Sequence, residues 1–146
     1  MEEKTKTNRT EVVTLQQAIK ELRAFIYFHD ELKVGKLEDD DVLVNENNYI
    51  ISAIQKGLLT IENNIPTYTL LKPIGEGDIS VDKINFRTRI KPMDNARITQ
   101  GLDISKNQFE YILRCNCFLT GQSKGIYNSF EKYDLKVIEQ ICSIFL

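Results

Sequence analysis

The stretch TYTLLKPIGEGDISVDKINF, residues 67–86, decides the fold class. It opens with Thr67-Tyr68-Thr69-Leu70-Leu71, residue types that favour a pleated, half-buried strand. It closes on Ile79 to Phe86, where apolar and polar residues alternate. The alternation changes phase once, at Asp82-Lys83, which a bulge would absorb. Pro73 to Asp78 lies between, so the segment reads as a β-hairpin. Its two glycines lack a following Gly-Lys-Ser/Thr and helix, so this is a turn and not a phosphate cradle.

On either side the pattern is helical. Upstream, Thr14 with Gln17 three residues on resembles a capping box. Leu15, Ala18, Ile19, Leu22, Phe25, Ile26 and His29 then recur at steps of three and four, giving an amphipathic helix that ends before Gly35. Glu38 to Asp41 forms an acidic run without the interleaved spacing of a calcium loop, so it reads as a solvated loop or helix start. Asn48 is placed to cap a second helix through Ile50, Ile51, Ala53, Ile54 and Leu58. Asn63-Asn64 marks a turn, and Pro66 halts what precedes it.

Downstream, Pro92 suits the first turn of a helix containing Ala96 and Ile98. Ser105 is expected to cap another, running through Phe109, Ile112, Leu113, Asn116 and Cys117 to Leu119 and ending near Gly121. A short helix is expected over Ile126–Phe130. In the last one, capped by Asp134, Leu135, Ile138, Ile141, Cys142 and Phe145 share a face, with Val137 and Ile144 on its flank. The expectation is a mainly α protein with a small β-hairpin (α+β) and a helical bundle in the C-terminal third. Residues 1–10 are polar and read as a mobile tail, 11–65 as an N-terminal helical extension, and 66–146 as the main domain.

Composition narrows the function classes. Hydrophobic residues make up 42% of the 146, enough for a packed core. Nineteen basic residues against 21 acidic ones lack the basic excess typical of nucleic-acid binders. No apolar run is long enough to span a bilayer and the first residues lack a secretory core, so a cytoplasmic protein is expected.

Cys115, Cys117 and Cys142 sit among apolar neighbours, which suits small core residues in a reducing compartment. With His29 as the one histidine, neither a metal site nor a thiol–imidazole pair is expected, and no cofactor or catalytic residue is assigned. Two helices followed by two strands also match the order of a winged helix-turn-helix, with Asn47, Asn48, Gln55 and Lys56 on the reading helix. The single positive charge there, beside Asp39–Asp41, makes phosphate neutralisation weak.

From Pro66 onward the order of segments carries a resemblance. A strand ends in Leu70-Leu71-Lys72-Pro73-Ile74, a Gly-containing turn follows, and the next strand ends in Phe86-Arg87. Pro92-Met93-Asp94 starts a helix, and Ile112-Leu113-Arg114 leads into a Leu119-Thr120-Gly121 turn. Phe130 to Asp134 and a terminal Phe145-Leu146 close the pattern. This chain resembles the small tail assembly chaperones of Mu-like contractile-tailed phages and related phage-tail-like particles. It departs from them in its longer first 65 residues, and in the Gly and Asp of Gln100–Ser105 where such proteins usually continue a helix.

The resemblance implies a non-enzymatic chaperone that coats the tape-measure protein before tube polymerisation. The tail tube protein is a further partner and a homo-oligomer the working form. Membrane and nucleic acid are not expected partners. The place of action would be the host cytoplasm, and the mature particle would not contain the chain. Alternatives are a small winged-helix DNA-binding regulator and a minor structural component of the tail. The gripping surface expected for the client is the last helix: Leu135, Val137, Ile138, Ile141, Ile144, Phe145 and Leu146.

Overall fold

The computed structural model describes residues 12–30, 38–76 and 79–146, so the expected N-terminal tail, Gly35 and the tip Gly77-Asp78 lie outside the described residues. In chain order the elements are α1 (Leu15–His29), α2 (Asp40–Glu46), α3 (Asn48–Gln55), β1 (Leu59–Glu62), β2 (Ile65–Glu76), β3 (Ile79–Asn85), α4 (Pro92–Ile98), α5 (Gln108–Thr120), α6 (Lys124–Tyr127) and α7 (Lys132–Phe145). The fold is mainly α with a three-stranded antiparallel sheet, β1-β2-β3.

Local chemistry explains most element ends. The Thr14 hydroxyl accepts from Gln17 N at 3.2 Å and caps α1, whose Ala18, Ile19, Leu22, Phe25 and Ile26 are buried. Asp39 Oδ1 accepts from Asp41 N and Val42 N, so the acidic run starts α2, where carboxylates also suit the helix dipole. Asp94 accepts from Lys91 N at 3.1 Å at the start of α4. Gly121 closes α5 with φ of 68°, the left-handed conformation a helix C-terminus commonly needs.

Several boundaries differ from expectation. Asn48 does not cap α3; Gln140 of α7 does, its Oε1 accepting from Tyr49 N at 3.0 Å and Ile50 N at 3.1 Å while its Nε2 donates to Asn48 Oδ1. Ser105 forms a turn with Asp103, and α5 begins only at Gln108. The short α6 is capped by Ser123 and stops at Tyr127, leaving Phe130 as a buried residue after it. Asp134 lies inside the first turn of α7 and not at its cap.

The sheet holds one more strand than expected. Asn63 and Asn64 have φ of 53° and 61° and make the two-residue turn of a β1–β2 hairpin, with Glu62 paired to Ile65 and Leu59 to Tyr68. Two consecutive positive φ values match the right-handed twist of a hairpin, and asparagine tolerates them. Pro66 therefore lies within a strand, opposite Ile61. The β2–β3 ladder breaks between Thr69, paired with Lys83, and Ile74, paired with Val81. The irregularity sits opposite Asp82, where the phase of β3 changes, but the surplus residues belong to β2.

Asp134, fully buried, fills that break. It accepts from the Tyr68 hydroxyl at 2.5 Å, from Leu71 N at 2.9 Å and from Lys72 N at 3.1 Å. A carboxylate that receives several donors tolerates burial that an unpaired one would not. The core runs without interruption from α1 and α3 through the sheet to α5 and α7. The expected boundary between the N-terminal extension (11–65) and the domain 66–146 falls inside β2, and described residues on both sides of it share one core.

Candidate protein-binding surface

The last helix is not the free surface the sequence suggests. Val137, Ile138, Ile141 and Ile144 are buried, Leu135 and Phe145 partly so, and only Leu146 is well exposed. The cause is topological: α7 packs on α3, β2, α1 and α5 together, so both of its apolar stripes face protein. Each such side chain stabilises the monomer by roughly 1.5–3 kcal/mol.

Exposed large apolar side chains occur elsewhere, among them Tyr27 and Phe28 on α1, Ile65 and Leu71 on β2, and a further set on α4 and α5. Phe109 is 84% exposed and Ile112, one turn on, 47%; Met93 on α4 is 73% exposed, and Ile104 in the connection is also open. Helix α5 carries more apolar residues than one stripe holds. Ile112 shares the stripe of Cys115 and Leu119, three and seven residues on. Phe109 and Ile112 nonetheless lie in the first turns of α5 and stay exposed where Cys115 and Leu119 are buried. Phe109 and Ile112 lie outside the surface expected from the sequence, because the helical period that joins them to Leu119 does not show which turns are covered.

The surface is rigidly supported. The Tyr111 hydroxyl donates to Asn95 Oδ1 at 3.0 Å, and Arg114 Nη1 donates to the carbonyls of Ile98 and Gln100, both at 2.9 Å, closing the C-terminus of α4 against α5. Glu110 pairs with Lys124 and Arg114, and the Lys124 contact foremost holds its carboxyl below the usual range. Beside the stripe, Phe109, Ile112, Leu113 and Asn116 line a shallow depression of about 50 Å³ with Tyr127 and Glu139. Asn116 Nδ2 donates to the Tyr127 hydroxyl at 3.0 Å, fixing its floor, and burial pushes the ionisation of Tyr127 upward.

A larger cavity of about 460 Å³ opens at the break in β2, lined by Lys56, Gly57, Leu58, Thr69, Leu70, Leu71, Pro73 and Asp82. It holds neither a thiol nor an imidazole. Lys56, its cation, lies over the Tyr133 ring at 4.7 Å.

Reactive groups elsewhere are engaged in structure. Burial raises the ionisation of Cys115, Cys117 and Cys142, leaving protonated thiols in or beside the core. His29 Nε2 contacts Asn64 O at 2.7 Å, and its ring meets Phe25, Phe28 and Phe145 edge-on. Among the described residues no group of His, Cys, Asp or Glu is placed to hold a metal, and no helix is long and apolar enough to cross a membrane.

The expected DNA-reading helix, α3, is packed between α1 and α7. Asn47 Nδ2 donates to Leu43 O, Asn48 pairs with Gln140 and Lys56 lies over Tyr133, so these polar candidates are engaged internally.

The segments that carry the family resemblance meet in pairs. Leu71 and Lys72 bind Asp134. Arg87 N donates to Leu119 O at 2.7 Å, and the Arg87 guanidinium donates to Phe118 O while lying over the Phe118 ring at 4.4 Å. Arg114 closes the helix begun by Pro92-Met93-Asp94. The chain matches no family model, and no curated protein or solved structure is significantly similar to it.

Proposed function

We propose that this chain is a non-enzymatic assembly chaperone for a phage-type tail, holding the tape-measure protein on the face of α5 that carries Phe109 and Ile112 until the tube polymerises. The observation that carries the reading is Phe109, 84% exposed, with Ile112 a turn away on a helix otherwise fixed by internal hydrogen bonds. Large exposed apolar residues on a rigid support suit an apolar helical client, held by weak contacts repeated along its length. The resemblance supplies the biological setting: host cytoplasm, self-association that lines up many sites, the tube protein as a second partner, and departure before the particle is complete.

The test is co-expression with a long tape-measure-like helix followed by affinity capture. Phe109→Ser with Ile112→Ser should abolish the complex while circular dichroism stays unchanged. Capture that persists in the double variant overturns the surface. Retention of the chain in purified particles overturns the chaperone role.

A further inference from the structure

On α5, Phe109, Ile112, Leu113 and Asn116 lie three and four residues apart and so share one stripe of the helix. With Tyr127 of α6 and Glu139 of α7 they line the shallow depression of about 50 Å³. Asn116 and Tyr127 are buried and make its floor, whereas Phe109, Ile112 and Glu139 are exposed and make its rim. Asn116 is only 4% exposed, and its Nδ2 donates to the Tyr127 hydroxyl. Its Oδ1 has no hydrogen-bond partner among the described residues. A buried acceptor left unpaired is costly, and native folds rarely leave one so without a reason.

The rim supplies a second acceptor, which carries a charge. Glu139 Oε1 lies 4.0 Å from Lys136 Nζ, and both side chains are about half exposed, so this loose pair leaves the carboxylate open to another cation. Burial first, with the charge of Glu139 among the lesser causes, raises the ionisation of Tyr127, so the carboxylate is felt at the floor. The depression therefore joins acceptors to apolar walls. A single water needs roughly 10–15 Å³ of such space, so there is room for a small polar head group but not for an aromatic ring. Lysine matches on each count, with an aliphatic stem for Phe109, Ile112 and Leu113 and a compact ammonium of three donors at its tip. An acidic side chain would face Glu139 with like charge, and an apolar one would leave Oδ1 unpaired.

We infer that this depression takes a lysine side chain set within the apolar stripe of the client helix, its ammonium donating to Asn116 Oδ1 and Glu139 while its stem lies on Phe109 and Ile112. This rests on the client-binding reading above and adds the anchoring residue. Exposed apolar residues alone would hold any oily helix; the buried acceptor and the carboxylate give the surface a means of choosing one register of its client.

The experiment uses the full chain and synthetic amphipathic helices that differ only at one central position of the apolar stripe, which holds lysine, norleucine, arginine or glutamate. Fluorescence anisotropy reads the affinity. The lysine helix should bind about tenfold more tightly than the norleucine helix, whose equal stem lacks the donors. Glu139→Gln, at an exposed position, should lower that preference at least about threefold without changing the circular dichroism spectrum. Asn116→Leu should remove the remainder, and if that buried variant does not fold, Glu139→Gln alone decides. Equal binding of the lysine and norleucine helices, both lost in the Phe109→Ser, Ile112→Ser variant, overturns the lysine anchor but leaves the client surface standing. Binding of none overturns both. Tighter binding of the arginine or glutamate helix overturns the inference, as does a lysine preference untouched by Glu139→Gln. Self-association of the chain alone that Glu139→Gln abolishes would assign the depression to a second copy, and overturns it too.

Discussion

The Tyr68 hydroxyl and the Asp134 carboxylate, 66 residues apart and both fully buried, share a 2.5 Å hydrogen bond that ties β2 to the first turn of α7. Removing one partner strands the other in the core. Tyr68→Phe should cost roughly 1.5–3 kcal/mol, the range for a hydrogen bond to a charged group. Asp134→Ala should cost more, since it also orphans Leu71 N and Lys72 N. Urea denaturation checks both, and a loss below about 0.5 kcal/mol for Tyr68→Phe would show that the staple is dispensable.

Alkaline pH should loosen the fold in two stages. Burial raises the ionisation of Cys115 and Cys117 and, strongly, of Cys142, Tyr68 and Tyr127. A group whose folded pKa exceeds its unfolded value stabilises the fold fully below the unfolded pKa and progressively less above it. Stability should therefore begin to fall near pH 8.5, where unfolded thiols ionise, and fall faster beyond about pH 10, where tyrosines do. Urea midpoints across that range measure the slope, and a flat profile to about pH 10 would contradict the buried thiols.

Gln140 acts as a cap delivered from another helix. Gln140→Ala should destabilise the protein by about 1–2 kcal/mol, in the manner of a lost N-cap, whereas Gln140→Glu retains the acceptor for Tyr49 N and Ile50 N. Hydrogen exchange at the first turn of α3 should rise in the alanine variant alone. Unchanged protection there would remove the tertiary cap.

The contrast between helices gives a further pair of variants. Ile138→Ala should cost roughly 2–5 kcal/mol as a core truncation. Phe109→Ser, at an exposed position, should change stability by less than about 0.5 kcal/mol. Equal thermal denaturation of the two would place Phe109 in the core after all.

Features that depend on near neighbours were legible in the sequence. The Thr14 cap, the helix start at Pro92, the stop at Gly121 and the Asn63-Asn64 turn all act within four residues, and each stands where the pattern indicates. Strand β1 is hidden in the sequence because Leu59–Glu62 is a strand only through its pairing with Ile65–Tyr68, while Leu58 beside it continues the helical period. The cap on α3 arrives from 91 residues away, beyond the reach of any local signal. The candidate surface failed for the same reason. Periodicity shows that α7 is apolar on more than one stripe, but only the packing of four other elements around it decides that little of it is spare.

Helix α7 completes the hydrogen bonding of α3 through Gln140 and of β2 through Asp134. A cut in the exposed turn at Gly101 would give two fragments, each holding donors or acceptors whose partners are on the other. Neither is self-sufficient, so the fragments should reassemble on mixing in preference to folding singly. The two halves of this molecule are obligate complements, and recombination that exchanged one without the other would yield a chain unable to close.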